Sequence, residues 1–127
     1  MNSKIGYFAK IIVADDVSFM RLMLKNVLED AGYLVVAEAN NGEEAVRKFK
    51  QYSPDLIIMD ITMPKLDGIK AMLEIKKVDP TARVIMCTTM AQRPIVIHAI
   101  RCGADDFLVK PIQRENVLKA IEKVLNH

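Results

Sequence analysis

The sequence predicts an α/β fold in which five parallel strands form one doubly wound sheet with helices on both faces. Five short apolar runs alternate with stretches of about 10–15 residues that have helical spacing, a pattern typical of βαβ units with right-handed crossovers. Several of these runs finish on a charged residue, as buried parallel strands do when they carry charges to one edge of a sheet. The length of 127 residues is enough for one domain with a single core and no disulfide.

The predicted elements follow one another without a linker or a low-complexity stretch. We therefore expect residues 1–127 to form one domain with its core at about 9–126. The strands are predicted at 9–14, 34–39, 55–59, 83–88 and 106–110. The helices are predicted at 17–31, 42–52, 67–78, 92–102 and 114–126. Apolar residues with helical spacing support the first helix through Met20, Leu24, Val27, Leu28 and Ala31 and the last through Val117, Ile121, Val124 and Leu125.

Residues typical of helix ends agree with these boundaries. Gly32 and Gly103 follow the first and fourth helices, where a left-handed residue commonly closes a helix. Asn41, with Glu44 three residues later, forms an N-terminal capping pair for the second helix. Pro94 falls in the first turn of the fourth helix, where its missing N–H is tolerated.

The composition excludes several classes of protein. The net charge of +2 is small, and no cluster of basic and aromatic residues indicates direct binding to nucleic acid. No apolar run approaches the roughly 18 residues of a membrane span, and the first residues are too polar for a signal peptide. Cys87 and Cys102 have apolar neighbours and no metal-ligand spacing, so we expect two buried thiols in a reducing cytoplasm.

Charged residues at the strand ends predict a site at the carboxyl edge of the sheet, where ligands bind in open α/β folds. Asp15 and Asp16 follow the first apolar run, Asp60 ends the third and Lys110 ends the fifth. A single aspartate there is often only a turn former or helix cap. Three carboxylates brought together repel one another unless a cation neutralises them, and hard oxygen ligands suit Mg²⁺. Lys110 precedes Pro111, so we expect a fixed positive charge rather than a solvated surface amine.

The segment from Asp60 to Gly68 contains the most specific local pattern. Pro64 restricts φ, Gly68 allows a backbone conformation that a side chain would hinder, and Asp67 is a candidate cap for the third helix. Thr88 adds a hydroxyl to the same edge of the sheet, although threonine is also common in strands for other reasons.

In combination, these motifs resemble the receiver domains of two-component response regulators, in particular single-domain chemotaxis proteins of the CheY type. The resemblance covers about residues 9–126 and rests on Val-Ala-Asp-Asp at 13–16, Val-Ser-Phe-Met-Arg at 17–21, Met-Asp-Ile-Thr-Met-Pro at 59–64, Asp-Gly at 67–68, Thr88 and Val-Lys-Pro at 109–111. It implies a flavodoxin-like sheet with strand order 2-1-3-4-5.

The resemblance also implies roles for individual residues. The phospho-acceptor is Asp60, and the groups that bond the phosphoryl oxygens are Thr88 and Lys110. The implied ligands of Mg²⁺ are Asp15, Asp16, Asp60 and the backbone carbonyl of Thr62. Thr88 and Phe107 are the implied switch residues. The protein is then a signalling phospho-acceptor rather than an enzyme, although it assists its own phosphorylation and dephosphorylation.

The implied partners are a histidine kinase of the chemotaxis type, a downstream motor or switch protein, and a phosphatase. We expect a cytoplasmic monomer with no direct contact to nucleic acid or membrane. A phosphorelay shuttle that passes the phosphoryl group to a histidine phosphotransfer protein is an alternative, as is a receiver cut from a larger transcriptional regulator. A haloacid-dehalogenase-type phosphatase would need an aspartate where Thr62 stands. A flavodoxin-like flavin carrier would need a glycine loop after the first strand, where Asp15 and Asp16 repel phosphate.

The fourth helix has more apolar residues than one buried stripe uses. If Ile97 and Ile100 face the core, Ile95 or Val96 is left near solvent beside Phe107. We expect an output face there for an acidic amphipathic partner, although single exposed aliphatic residues are also normal. Its residues are Arg93, Ile95, Val96, Phe107, Lys119 and Lys123.

Three residues, Thr89, Met90 and Phe107, depart from the commonest receiver pattern. Thr89 is bulkier than the usual alanine or glycine, and Phe107 lacks the hydroxyl of the tyrosine found in the best-known chemotaxis members. Thr62 and Met90 stand where, by resemblance, two side chains flank the path of the hydrolytic water. Met90 is apolar and offers no group to orient water, so we expect slow loss of phosphate.

Overall fold

The computed structural model of the chain describes residues 9–89 and 93–126. The strands are β1 (Lys10–Ala14), β2 (Leu34–Ala39), β3 (Leu56–Asp60), β4 (Val84–Thr89) and β5 (Asp106–Lys110). The helices are α1 (Ser18–Asp30), α2 (Gly42–Tyr52), α3 (Gly68–Val78), α4 (Arg93–Arg101) and α5 (Arg114–Leu125). Every predicted element is present, and its ends shift by no more than one residue. No helix in the described part of the chain is long and apolar enough to cross a membrane.

All five strands are parallel and lie in the order β2-β1-β3-β4-β5, which confirms the predicted doubly wound sheet. Successive side chains of a strand point to opposite faces of a sheet. Ile11 and Val13 of β1 therefore pack with α1 and α5, whereas Ile12 and Ala14 pack with α2, α3 and α4. Because helices cover both faces, the central strands are buried along their length and appear in the sequence as continuous apolar runs.

The local signals at the helix ends are confirmed. Gly32 and Gly103 have φ angles of 94° and 119°, in the left-handed region. The side chain of Asn41 accepts a hydrogen bond from the backbone N–H of Glu44 at 2.8 Å. The Glu44 carboxylate accepts one from the backbone N–H of Asn40, also at 2.8 Å. The first bond satisfies a donor in the first turn of α2, and the second ties Glu44 to the residue before the Asn41 cap rather than to Asn41 itself.

The two cysteines differ in their surroundings, and neither forms a disulfide. Cys87 of β4 is buried, and burial raises the pKa of its thiol to about 12. Cys102 is only partly buried, with its Sγ 3.7 Å from Nε2 of His98. The prediction of a buried thiol is therefore confirmed for Cys87 and wrong for Cys102, which follows the end of α4 rather than lying within the sheet.

Candidate functional site

The carboxyl ends of two neighbouring strands, β1 and β3, bring the predicted acidic residues together. Asp60 is the last residue of β3, and Asp15 follows β1 directly. Because β1 and β3 are neighbours with Ala14 opposite Met59, the next residue of each strand lies at the same level of the sheet. Asp16 completes the cluster, and one carboxylate oxygen from each aspartate lies within 4.8 Å of the others.

The three carboxylates differ in exposure. Asp15 and Asp60 are 1% and 7% exposed, whereas Asp16 is exposed to solvent. The ammonium of Lys110, at the end of β5, lies 3.0 Å from Oδ2 of Asp15 and 3.2 Å from Oδ2 of Asp60. One lysine against three carboxylates leaves the cluster with a net negative charge. This hard, anionic oxygen set fits a divalent cation.

The electrostatics of the site follow from burial and from these contacts. Burial raises the pKa of Asp60, the nearby charge of Lys110 opposes that rise, and the charge of Asp15 adds to it, so the pKa is raised overall. Burial acts to lower the pKa of Lys110, but the hydrogen bond to Asp15 and the charges of Asp60 and Asp15 outweigh burial and raise that pKa. Lys110 is therefore a permanent positive charge beside a carboxylate that burial makes harder to ionise.

The loop between β3 and α3 contacts the Asp60 carboxylate. The backbone N–H of Thr62 donates to Oδ1 of Asp60 at 3.2 Å. Asp67 caps α3, as predicted, by accepting a hydrogen bond from the backbone N–H of Lys70 at 2.9 Å. Lys65 in the same loop has a positive φ of 68°, which its local sequence did not predict.

Gly68 is needed at this loop because of a close approach rather than an unusual φ angle. Its backbone N–H donates to the carbonyl of Ile61 at 2.7 Å. A Cβ on Gly68 would lie 2.2 Å from the backbone oxygen of Asp60 and 2.9 Å from Cα of Ile61. The predicted dependence on glycine is therefore explained by backbone atoms packed against the residue, and not by a left-handed conformation.

Thr88 lies on β4, next to β3 in the sheet, and Phe107 lies on β5, next to β4. Asp60 pairs with Cys87 in the sheet register, so Thr88 is the next residue along β4, and it is buried. Its hydroxyl donates to the backbone oxygen of Thr89 at 3.3 Å. Phe107 of β5 is 38% exposed. A cavity of about 370 Å³ is lined by Thr88, Thr89, Arg93, Val96, Ile97, Ile100, Phe107 and Val109.

The predicted orientation of α4 is wrong in detail. Val96 and Ala99 face the core, and Val96 is only 7% exposed. Ile97 and Ile100, which were expected to face the core, are exposed instead, and Ile95 is exposed as predicted. Val96 therefore lines the cavity next to Thr88 and Phe107 and is not part of the exposed surface of α4. The buried face of α4 therefore consists of Val96 and Ala99, and the larger isoleucines lie outside it.

Of the remaining residues predicted for the output face, Arg93 is exposed at the start of α4. Lys119 and Lys123 of α5 line a second shallow depression next to Phe107. The ammonium of Lys123 lies 3.6 Å from a carboxylate oxygen of Asp106. Met90 lies outside the described residues.

Two further residues beside the cluster, Arg21 and Glu38, were not among the predicted site residues. The guanidinium of Arg21 lies 3.1 Å from Oε1 of Glu38 and donates to the backbone oxygen of Asp15 at 2.6 Å. The Val-Ser-Phe-Met-Arg segment contains Arg21, but no local pattern connects it to a residue of β2.

Comparisons with known proteins agree with this geometry. The sequence model described as "Response regulator receiver domain" matches residues 11–122. The chain is 56% identical to the chemotaxis protein CheY of Bacillus subtilis, over 92% of this chain and 98% of that protein. It is 50% identical to CheY of Thermotoga maritima, over 91% and 96% of the two chains. A crystal structure of the CheX-CheY-BeF3-Mg+2 complex from Borrelia burgdorferi matches with a TM-score of 0.86 and 35% identity, over 91% of this chain and 87% of that chain.

Proposed function

The chain belongs to the family of response regulator receiver domains, and from this premise we propose that Asp60 accepts a phosphoryl group from a phosphohistidine of a histidine kinase. Its similarity to CheY proteins over nearly their whole length makes it a response regulator of the chemotaxis type, which is a signalling protein. One observation carries the proposal: the Asp60 carboxylate lies close to the carboxylates of Asp15 and Asp16 and also contacts the ammonium of Lys110.

In the proposed reaction, a carboxylate oxygen of Asp60 attacks phosphorus. The new P–O bond forms as the P–N bond to the donor imidazole breaks, and the imidazole leaves with the electron pair. Lys110 stabilises the charge on the phosphoryl oxygens, and Thr88 donates its hydroxyl to one of them. Because Nζ of Lys110 is already 3.2 Å from Oδ2 of Asp60, it needs little movement to meet a phosphoryl oxygen bound there.

We assign a Mg²⁺ site to the same edge of the sheet, with Asp15, Asp16, Asp60 and the backbone carbonyl of Thr62 as ligands. The clustered oxygens and their net negative charge support this assignment. The exposed position of Asp16 leaves room for the water ligands that Mg²⁺ usually keeps. When bound, the ion neutralises charge on the transferring phosphoryl group.

Phosphorylation is proposed to act on Phe107 through Thr88. The two residues line one cavity, so a movement of Thr88 toward new phosphoryl oxygens changes the space available to the Phe107 ring. Packed interiors respond to such shifts by moving between discrete arrangements. The signal then requires a partner that distinguishes the two arrangements by affinity.

The proposed output face comprises α4, β5 and α5. Exposed Ile95, Ile97 and Ile100 supply apolar contacts, and the basic rim consists of Arg93, Lys119 and Lys123. This combination suits an acidic amphipathic segment of a downstream motor or switch protein. In the cytoplasm, a chemotaxis-type kinase would load Asp60, and autodephosphorylation or a phosphatase would reset it. The family match gives no support to a haloacid-dehalogenase-type phosphatase or a flavin carrier.

Phosphorylation of the purified chain by acetyl phosphate with Mg²⁺ tests the proposal. The parent should acquire one hydroxylamine-sensitive phosphate, and Asp60→Asn should acquire none. Asp67→Asn is the matched control because it removes a carboxylate from the same loop but outside the cluster. Hydroxylamine-sensitive phosphate that persists in Asp60→Asn would overturn the assignment of the acceptor.

A further inference from the structure

Arg21 joins three segments that surround the acidic cluster. Its side chain extends from α1, is only 17% exposed, and uses two of its nitrogens at once. Nη1 donates to the backbone oxygen of Asp15 at 2.6 Å, and Nε donates to Oε1 of Glu38 at 3.1 Å. Glu38 belongs to β2, and its own backbone oxygen accepts a hydrogen bond from Lys48 of α2. A planar guanidinium makes such paired contacts, and a lysine ammonium does not reproduce them.

With this contact, every polar group of Asp15 is held. Its backbone N–H donates to the carbonyl of Ala39 at 3.0 Å. Its carboxylate accepts from the backbone N–H of Val17 at 2.9 Å and from Lys110 at 3.0 Å. The backbone carbonyl is the remaining group, and Arg21 holds it. Asp15 is thus tied to β2 twice, directly through Ala39 and indirectly through Arg21 and Glu38.

The orientation of Asp16 depends on the same contact. The carbonyl of Asp15 and the N–H of Asp16 belong to one rigid peptide plane, so a clamp on the carbonyl sets the direction in which the chain leaves Asp15. Within residues 9–89 and 93–126, the Asp16 carboxylate forms no hydrogen bond or ion pair, yet its oxygen is in the cluster with Asp15 and Asp60. Its position therefore comes from the backbone that carries it.

We propose that Arg21, supported by Glu38, is a positioning residue for the metal site: it holds the Asp15–Asp16 peptide so that the Asp16 carboxylate faces Asp15 and Asp60. The inference rests on the proposed function of the cluster. It adds a residue that contacts neither the ion nor the phosphoryl group, and acts through the backbone that bears two of the ligands.

Charge and positioning predict opposite results, which makes the proposal testable. As a mere positive charge near the cluster, Arg21 repels Mg²⁺, so its removal would tighten binding and Arg21→Lys would change nothing. If Arg21 is a positioning residue, its loss weakens Mg²⁺ binding. Arg21→Lys weakens Mg²⁺ binding as well, because lysine cannot contact Glu38 and the Asp15 carbonyl at the same time in this geometry. Outer contacts of metal ligands typically contribute about 10–100-fold to affinity, and we expect about tenfold weaker Mg²⁺ binding in Arg21→Lys.

The experiment is a titration of the unphosphorylated chain with MgCl₂, followed by NMR shifts of the backbone amides of residues 15–17 and 60–62. Arg47→Lys is the matched control, because Arg47 also pairs with a glutamate, Glu44 at 3.5 Å, but within α2. It should bind Mg²⁺ like the parent. Far-ultraviolet circular dichroism on each variant checks that the fold is kept.

A second pair of variants holds the charge constant and does not alter Arg21. Glu38→Gln and Glu38→Ala remove the same negative charge, but only glutamine keeps an acceptor for Nε of Arg21. Positioning predicts tighter Mg²⁺ binding in Glu38→Gln than in Glu38→Ala. Equal affinities in this pair, or parent-like affinity in Arg21→Lys, would overturn the role of Arg21. If the parent itself did not bind Mg²⁺, the proposed metal site would fail instead, so the two failures are distinguishable.

Discussion

Removal of the Lys110 ammonium should destabilise the metal-free protein more than removal of any surface lysine. Lys110 contacts two carboxylates that are 1% and 7% exposed, and its own side chain is only 19% exposed. Removing one partner of a buried ion pair typically costs about 3–5 kcal/mol, because the remaining charge is left uncompensated. Because Lys110 retains some exposure and acidic groups can take up a proton, we expect about 3 kcal/mol for Lys110→Met, the lower end of that range.

The pH dependence of this loss has a definite sign. The folded-state pKa of Asp60 is raised, chiefly by burial, so the native state binds this proton more tightly than the unfolded state does. Stability contributed at Asp60 therefore falls as pH rises through the raised pKa, and it is recovered as pH is lowered. Without the opposing charge of Lys110, that pKa rises further. The destabilisation of Lys110→Met should thus be smaller at about pH 5.5 than at about pH 7.5.

Urea unfolding followed by far-ultraviolet circular dichroism measures this effect, since the chain contains no tryptophan for fluorescence. Lys77→Met is the matched control: Lys77 forms an exposed pair with Glu74 at 3.6 Å, and its loss should change stability by less than about 0.5 kcal/mol. The double variant Lys110→Met with Asp60→Asn should recover part of the loss, because the buried carboxylate of Asp15 still lacks its partner. A Lys110→Met protein as stable as the Lys77→Met control, or one whose deficit does not shrink on acidification, would refute this electrostatic account.

Three further predictions concern the loops and the output face. Gly68→Ala should destabilise the protein by about 1–3 kcal/mol and weaken Mg²⁺ binding, because its Cβ would meet backbone atoms of Asp60. Gly103→Ala, which lies between α4 and β5 at the opposite end of β5 from Lys110, should leave Mg²⁺ affinity unchanged when both variants are titrated. Replacing Met90 with Glu and Thr62 with Asn should speed loss of phosphate, measured as decay of the labelled protein; an unchanged decay rate would show that these side chains do not control water access. Beryllofluoride with Mg²⁺ should shift NMR signals across α4, β5 and α5, and shifts confined to the phosphorylation site would exclude this output face.

The strands and the charged residues at their ends could be predicted because the information is local. A strand buried on both faces must be an apolar run, and a charge can follow only where the run leaves the core. Asp60 and Lys110 mark such points in the sequence, and βαβ connectivity then places all carboxyl ends at one edge. The helix caps at Asn41 and Asp67 could be predicted for the same reason, since the bonds span only a few residues.

The tertiary structure alone decided which face of α4 is buried. Its nine residues include Ile95, Val96, Ile97, Ala99 and Ile100, so apolar spacing does not select one stripe. The contact with the sheet selects Val96 and Ala99, and turns the larger isoleucines to the surface. Periodicity identifies a buried face only when the opposite face is polar.

Contacts between different elements of the fold also depend on the tertiary structure. Arg21 meets Glu38 because β2 lies beside β1, and Gly68 is required because the β3–α3 loop folds back on Asp60. The sequence by itself determined the parallel sheet, the alternation of strands and helices along the chain, and the acidic residues at the edge of the sheet. Each of these features depends on the pattern of apolar and charged residues within a short segment. Only the tertiary structure decided how those residues are held and which surface remains for a partner, because these depend on distances between segments that no local pattern encodes.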